Sequence, residues 1–301
     1  MKTTSVLVTA FFLLVLQPVV AQERESASNM LVIQADFAGL VMTGVAKSVS
    51  KDLEVFNVRP LIPLYDIRAA SQSLAYNAQT WPAGTVFVSV VDPGVGTARK
   101  SIVLKTRNNL YFVSPDNGSL SGPAEAYGID AVREIDETVN RIPGSEWSHT
   151  FHGRDVYSYT GARLAAGAIS FAEVGPLLDA KVIELPVMSS RLDYGVLYGH
   201  IIGGTGRLGN IAFSIDRHLF GEISASYGDR FDVVIRNGGE LIWKGTVPYM
   251  KSFGDVPVGE NLLFINSSGD TSIAINQGNF AESHGIGSGT DWTIEMSLSA
   301  I

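Results

Sequence analysis

Apolar and polar residues follow two different rhythms along the chain, one before and one after about residue 190. In the first part, short apolar runs typical of buried strands alternate with segments whose apolar residues recur at helical spacing. Strands that alternate with helices predict a mainly parallel sheet in an α/β domain. The predicted strands are residues 30–36, 85–91, 101–106 and 110–114, and the predicted helices begin at Gly44, at 67 after an Asp66 N-cap, and at Arg154.

Beyond residue 190 the pattern changes to short alternating runs. Turn residues such as Asn237-Gly-Gly239 and Ser268-Gly-Asp270 separate these runs. Many short strands divided by turns predict an all-β, barrel-like domain. We therefore expect an N-terminal α/β domain at residues 30–190 and a C-terminal β-barrel domain at residues 191–301. The predicted barrel strands are residues 196–202, 210–215, 231–235, 240–243, 262–266, 272–275 and 292–298.

The first 21 residues have the layout of a secretory signal peptide, with Lys2, an apolar run at residues 6–16 and Ala21 at the cleavage position. A membrane span needs about 20 apolar residues, and this run is shorter, which leaves an uncleaved anchor as the alternative. We expect an exported protein, periplasmic or secreted, without membrane association after signal removal. Residues 22–29 are polar and predict a disordered lead-in.

Composition narrows the classes of function. The net charge is −8 and the sequence has no basic run, which argues against a nucleic-acid partner. The absence of cysteine excludes disulfides and thiolate metal sites, and the five histidines show no recognised metal spacing. Residues 204–209 match the glycine pattern of dinucleotide-binding proteins, but a predicted strand follows them where that pattern requires a helix.

Three segments carry candidate chemistry. A glycine-rich loop from Asp92 to Arg99 follows an apolar strand, Ser114-Pro-Asp-Asn-Gly118 follows another, and Thr150-Phe-His152-Gly-Arg-Asp155 leads into a predicted helix. A helix N-terminus favours anions, so His152 beside Arg154 could hold and polarise a small nucleophile. Each segment also has a structural interpretation, in which Asp92 forms a turn, Asp155 pairs locally and His152 only packs.

Together these segments resemble the S-adenosyl-L-methionine (SAM) hydroxide adenosyltransferase family, whose relatives include fluorinases and chlorinases. The likeness is most specific at residues 84–97 with Arg99, at 114–118 and at 150–155, and it extends through 265–269 and 273–278. It implies an α/β domain followed by a β-barrel, and a homotrimer that binds SAM between neighbouring subunits. It also implies hydrolysis of SAM to adenosine and methionine, with no cofactor.

The resemblance also assigns residues. The family's Asp-Arg-His triad falls on Asp92, Arg99 and His152, and halogenating relatives lack the acid, so its presence favours water over halide. Methionine leaves the sulfonium as a neutral thioether and needs no general acid, whereas a water held by Arg99 and His152 would have a lowered pKa. The acceptor of the water proton stays open. The implied substrate-binding residues are Asp36 (ribose), Tyr65 (reacting carbon), Asn210, Ser267 and Ser268 (methionine end), and Phe253 (adenine).

Two departures from the family pattern stand out. Relatives have Asp-Phe-Gly at the end of the first strand, whereas this chain has Asp36-Phe-Ala-Gly39. Relatives also place an aspartate for the methionine ammonium near the position of Thr205, where residues 203–207 contain no acid. SAM is chiefly an intracellular metabolite, so export also favours a second hypothesis, a non-catalytic adenosine- or SAM-binding protein. A third is adenosyl transfer to another nucleophile such as halide.

Overall fold

The computed structural model of the protein describes residues 28–204 and 208–299. The predicted signal peptide, residues 22–27 of the lead-in and the Thr205 position lie outside the described residues. Ser28 and Asn29, the last two residues of the lead-in, are hydrogen-bonded to the fold. The Ser28 hydroxyl donates to the carbonyl of Gly84 at 2.7 Å, and the Asn29 amide donates to the carbonyl of Ala165 at 3.1 Å.

A seven-stranded sheet forms the centre of the N-terminal domain. Its strands are β1 (Met30–Ala35), β2 (Glu54–Asn57), β3 (Val86–Val90), β4 (Ser101–Thr106), β5 (Tyr111–Pro115), β6 (Ile129–Glu134) and β7 (Leu177–Leu178). The spatial order is β2-β1-β3-β5-β4-β6-β7, and the first four strands in that order run parallel. The remaining pairings, β5 with β4, β4 with β6 and β6 with β7, are antiparallel. The connection from β4 to β5 is too short for a crossover helix, which requires these two strands to pair antiparallel. The α/β prediction is confirmed, with a mixed sheet.

Helices cover both faces of this sheet. They are α1 (Leu40–Val49), α2 (Ile67–Asn77), α3 (Ser121–Tyr127), a π-helix (Gly153–Ser158) and α4 (Tyr159–Ala165). Side chains of successive β1 residues point to opposite faces of the sheet. Leu31 and Ile33 pack with α1 and α4 on one face, whereas Val32 packs with α2 and α3 on the other. Burial on both sides explains why these strands read as continuous apolar runs. Asp66 caps α2 as predicted, accepting from the Ala69 amide at 2.8 Å.

Two helix predictions need correction. Helix α1 begins at Leu40, ahead of the predicted start at Gly44. The helix predicted to begin at Arg154 begins one residue earlier, as a π-helix at Gly153, and continues as α4 to Ala165.

The C-terminal domain is an antiparallel, barrel-like sheet of eight strands. They are β8 (Arg191–Asp193), β9 (Val196–Gly204), β10 (Ile211–Asp216), β11 (Arg230–Asn237), β12 (Glu240–Pro248), β13 (Asn261–Ile265), β14 (Asp270–Ile275) and β15 (Gly289–Leu298). The order is β12-β11-β15-β9-β10-β14-β13, with β8 paired to β9. A bridge between Tyr249 and Leu263 brings the two outer strands together and nearly closes the barrel. Strand β10 follows the glycines of residues 204–209, in agreement with the rejection of a dinucleotide site.

The barrel encloses its own apolar core, which includes Phe213, Phe231 and Ile273. Two short helices, α5 (Arg217–Gly221) and α6 (Phe280–His284), complete the domain. The predicted turn at Asn237-Gly-Gly239 joins β11 to β12, and both glycines have a positive φ, as a two-residue hairpin turn requires. Within residues 28–204 and 208–299, no helix has the length and apolarity needed to cross a membrane.

Candidate active site

The three candidate loops meet at one edge of the N-terminal sheet. Strands β1, β3 and β5 are parallel neighbours, so their carboxyl ends lie side by side. Ala35 pairs with Val90, which places Asp36 at the same edge as Asp92. The Asn117 amide donates to the carbonyl of Val91 at 2.9 Å and ties the loop after β5 to the end of β3. This edge is where α/β folds commonly bind ligands.

The loop from Asp92 to Arg99 folds back on itself through two turns. The Val95 amide donates to the Asp92 carbonyl at 3.2 Å, and the Thr97 amide donates to the Gly94 carbonyl at 3.1 Å. Gly96 has φ +79°, a left-handed conformation that glycine adopts without steric cost. The double turn brings Arg99 back beside Asp92.

Asp92 and Arg99 form a buried, bidentate ion pair. The Arg99 Nε lies 3.0 Å from each Asp92 carboxylate oxygen, and Nη2 lies 2.6 Å from Oδ2. The side chains are only 9% and 5% exposed for Arg99 and Asp92, respectively. Charge-assisted, bidentate pairs of this kind are the strong ones. Because both carboxylate oxygens accept from Arg99, Asp92 is a fixed anion that orients the guanidinium.

His152 joins this pair through its Nδ1 atom, which lies 2.9 Å from Arg99 Nη2. A guanidinium can only donate, so Nδ1 is the acceptor and the neutral ring carries its proton on Nε2. The Nε2 atom is buried and has no hydrogen-bond partner among the residues that the structure describes. The cluster therefore presents one unused N–H donor beside a guanidinium.

The position of His152 depends on a close approach between the π-helix and β3. His152 immediately precedes the π-helix, whose first residue is Gly153. A Cβ atom at Gly153 would lie 2.8 Å from a methyl group of Val90, so a larger residue would push the helix away from β3. Glycine here lets His152 lie beside the loop that follows β3.

The surroundings set the protonation states of the cluster. Burial lowers the pKa of His152; Glu137 opposes this effect, while the positive charges of Arg99 and Arg141 add to it. Burial also disfavours a charged Arg99, but the hydrogen bond to Asp92 and the nearby negative charge outweigh it and raise the Arg99 pKa. Near neutral pH the cluster thus combines a charged guanidinium with a neutral imidazole.

Two further residues complete the cluster and were missed by sequence reasoning. Ser101 accepts from Arg99 Nη1 at 3.2 Å, and its Oγ lies 3.1 Å from the hydroxyl of the fully buried Tyr157. The Tyr157 ring centroid lies 5.7 Å from the Arg99 guanidinium carbon. Burial raises the Tyr157 pKa far above its ordinary value, so the phenol stays neutral. No motif marks these positions, and only the fold brings them to Arg99.

Arg154 does not act with His152 as expected. It forms a bidentate pair with its neighbour Asp155, at 2.7 and 3.0 Å, and packs over the ring of Phe151. Asp155 thus pairs locally, as its structural interpretation proposed. Arg99 takes the place beside the imidazole that the sequence suggested for Arg154.

Asp36, predicted to bind the ribose, and Tyr65, predicted to lie near the reacting carbon, meet at the same sheet edge. The Tyr65 backbone amide donates to Asp36 Oδ2 at 2.9 Å. Tyr65 has φ +63°, an unusual conformation for a residue other than glycine, and its side chain is largely exposed. Strained backbone is a feature of many ligand sites.

The remaining predicted binding residues gather in the barrel domain. A cavity of about 330 Å³ is lined by Asn210, Phe253 and Ser267, together with Lys251, Ser252, Asn266 and apolar neighbours. The Phe253 ring packs on Phe264 with 4.9 Å between centroids. Ser268 lies in the turn that follows, where its amide donates to the Asn266 side chain at 2.8 Å. In the described part of the chain, no group of three His, Asp or Glu residues could hold a metal ion.

The fold and site together define a two-domain protein with a buried Asp-Arg-His cluster at a sheet edge and a polar-aromatic cavity in a barrel. Residues 32–175 match the SAM hydroxide adenosyltransferase N-terminal domain, and residues 207–293 match the C-terminal domain of the same family. The chain belongs to the SAM hydroxide adenosyltransferase family.

The chain is also similar to individual named proteins and to a protein of known structure. An (R)-S-adenosyl-L-methionine hydrolase from Salinispora tropica is 33% identical over 245 residues, covering 81% of this chain and 87% of that protein. The protein of the same name from Salinispora arenicola is 34% identical, covering 79% and 85%. A conserved protein from Thermotoga maritima has a crystal structure that superposes with a TM-score of 0.78 at 32% identity, covering 89% of this chain and 100% of that one.

Proposed function

We propose that this protein hydrolyses S-adenosyl-L-methionine to adenosine and L-methionine. The buried Asp92–Arg99–His152 cluster carries the proposal, because it combines a fixed cation and an unused N–H donor at the ligand-binding edge of the sheet. Family membership and relatives named as SAM hydrolases support the substrate.

The reaction needs a positioned nucleophile more than an acid. The oxygen of water forms a bond to the ribose C5′, the C5′–S bond breaks, and its electron pair stays on sulfur, which leaves neutral methionine. One proton is released from the water. Because the leaving group is neutral, the useful contributions of the protein are proximity, alignment and stabilisation of the developing hydroxide.

The three residues divide this work. The hydrogen bond from Arg99 to Nδ1 fixes the proton of His152 on Nε2, and this Nε2–H is the donor that would hold the water oxygen. The positive charge of Arg99 on the other side of the ring favours the deprotonated form of that water. Asp92 uses both oxygens to hold Arg99, so it acts as the orienting anion and not as a free base.

We further propose that SAM binds between subunits of a homotrimer. The cluster and Asp36 lie in the α/β domain, whereas the cavity with Asn210, Phe253 and Ser267 is lined by barrel residues alone. Large apolar side chains close in sequence to Asp36 and Tyr65 are exposed, namely Leu40 (78%) and Leu64 (66%). Exposed apolar patches often mark protein interfaces, so the barrel of a neighbouring subunit would cover this edge and complete the site.

We also propose that the protein is exported and that its reaction requires no cofactor. Residues 1–21 would direct export and be removed, which N-terminal sequencing of the exported protein would show. A sulfonium substrate carries its own leaving group, and we therefore propose that the reaction needs no metal or organic cofactor.

The direct experiment incubates the purified mature protein with SAM and identifies the products by chromatography. Equal amounts of adenosine and methionine are expected, unchanged by EDTA, and Asp92→Ala should abolish them. Asp179→Asn, which removes a carboxylate from an exposed ion pair with Lys181, should leave the rate unchanged. Tight adenosine binding without turnover would instead support the non-catalytic binder, and 5′-halo-adenosine formed with halide would support halogen transfer.

A further inference from the structure

A second ion pair, between Arg141 and Glu137, lies close to His152. The proposed triad of Asp92, Arg99 and His152 gives this pair no role. Arg141 donates to the Glu137 carboxylate through Nη2 at 2.8 Å and through Nε at 3.2 Å. The other Glu137 oxygen lies 4.0 Å from Nδ1 of His152, the same atom that accepts from Arg99. Glu137 therefore places a carboxylate oxygen within 4.0 Å of the Nδ1 atom that accepts from Arg99.

Arg141 is buried and also holds the chain that leads to His152. Its side chain is 3% exposed. Its Nη1 atom donates to the carbonyls of Ser145 and Ser148 at 3.3 and 3.1 Å, and its Nη2 lies 3.5 Å from the His149 ring. One guanidinium thus joins Glu137 to three points of the segment that ends three residues before His152.

We propose, on the basis of the proposed hydrolase function, that Glu137 and Arg141 are positioning residues for His152. Arg141 fixes the segment that carries the imidazole, and Glu137 balances the positive charge that surrounds Nδ1. Without the pair, Nδ1 would face Arg99 alone, and the segment from Ser145 to His149 would lose three of its anchors.

Glu137 and Arg141 have opposite charges, so their effects on the protonation of His152 can be measured separately. A carboxylate beside an imidazole favours its protonated form, and a guanidinium disfavours it. The charged or titratable groups that face His152 are Asp92 and Arg99 from the loop after β3, Glu137, Arg141 and His149 from the segment before it, and Tyr157 from the π-helix.

The charge half of the proposal is tested by proton NMR titration of His152 in the free protein, with the signal assigned by its loss in His152→Gln. Glu137→Gln should move the titration midpoint down by about one pH unit, the lower end for a carboxylate at this distance. Asp130→Asn removes one exposed charge from the pair with Lys105 in the same domain and should not move the midpoint. An unchanged or higher midpoint in Glu137→Gln would overturn the inference.

The geometric half is tested with Arg141→Lys, which keeps the charge but loses the forked contacts. We expect kcat to fall about 10-fold with KM little changed, since a small misplacement of a catalytic group slows the chemical step. The midpoint of His152 should stay close to wild type because the charge is kept. An unchanged kcat would overturn the positioning role. The titration needs no substrate, so it would still show whether Glu137 acts on His152 in a protein that fails to hydrolyse SAM.

Discussion

At the scale of single residues, Arg99 connects the candidate site. Its N–H groups reach Asp92, Ser101 and His152 at once, so one side chain sets the geometry of three others. The same contacts determine the chemistry, because they leave Nε2 of His152 as the unused donor and hold Asp92 as an anion. Removing any partner should therefore affect both activity and stability.

Asp92→Asn should show this double effect. The change leaves the buried Arg99 charge without its anion, which typically costs about 3 kcal/mol of unfolding free energy. It should also lower kcat at least about 100-fold, the usual loss when an electrostatic contact in an active site is removed. Urea unfolding and SAM turnover measure the two effects. A variant with wild-type stability would contradict the buried ion pair, and Asp179→Asn at the surface is the matched control.

The pH dependence follows from the lowered pKa of His152. Protonation of Nδ1 removes the acceptor for Arg99, so turnover should stay level down to pH 6.5, the ordinary value for histidine, and fall only below it. The unfolded chain binds this proton more readily than the folded one. Hence the His152 contribution to stability is complete above the ordinary pKa and decreases as the pH falls below it. An acid limb centred above pH 6.5 would show that His152 is not held neutral.

At the scale of elements, the cluster depends on how closely the helical segment after His152 packs against β3. Gly153 lies against Val90, and a Cβ atom at Gly161 in α4 would come within 2.4 Å of a Val88 methyl group. Two glycines eight positions apart thus bring the helical segment onto β3, the strand that precedes the loop from Asp92 to Arg99. This contact sets the distance between His152 and Arg99.

Gly161→Ala should disturb that contact. Overpacking of this kind usually costs about 1–3 kcal/mol, and the shifted helix should slow turnover as well. Gly44→Ala in α1 is the matched control, since a Cβ there meets no atom within 4 Å; it should stabilise the protein by about 0.5–1 kcal/mol. Thermal unfolding measures the stability of both variants. A Gly161→Ala variant as stable as the wild type would argue against close packing of α4 on β3.

Much of the element pattern was predictable because buried strands have a strong apolar signal. Seven of the eight barrel strands and β1, β3, β4 and β5 lie within a few residues of their predicted positions. The π-helix could not be distinguished from an α-helix, because six residues are too few to separate the two periods. The strands β2, β6, β7 and β8 were missed because their residues are mostly only half-buried or exposed.

The site was predictable where motifs marked it and not elsewhere. Asp92, Arg99 and His152 were assigned together from the family resemblance of their loops, and the structure brings them together. Arg154 was expected to act together with His152, but its guanidinium pairs with Asp155 instead. Its nearness to His152 in the sequence could not show this pairing. Glu137, Arg141 and Tyr157 reach the cluster only through the fold, so no local pattern could have revealed them.

At the scale of the whole molecule, the proposed catalytic cluster and the cavity belong to different domains. The proposed trimer explains why both exist in one chain, since each site would combine the α/β domain of one subunit with the barrel of its neighbour. The exposed apolar residues beside Asp36 would then lie in the interface.

Light scattering coupled to size-exclusion chromatography should give the mass of a trimer. Leu40→Glu should dissociate it and abolish turnover, because a charge would be buried in an apolar interface. Leu177→Glu changes an exposed leucine on β7, the last strand in the spatial order of the sheet, and should keep both properties. A fully active monomer would rule out a shared site.

The central claim is that water attacks the ribose C5′ of SAM at the Asp92–Arg99–His152 cluster. The most direct test is turnover in oxygen-18-labelled water, with mass spectrometry of the adenosine formed. The label should appear in the 5′-hydroxyl of adenosine and be absent from methionine. Adenosine without the label, or a product with another group at C5′, would contradict hydrolysis at this site.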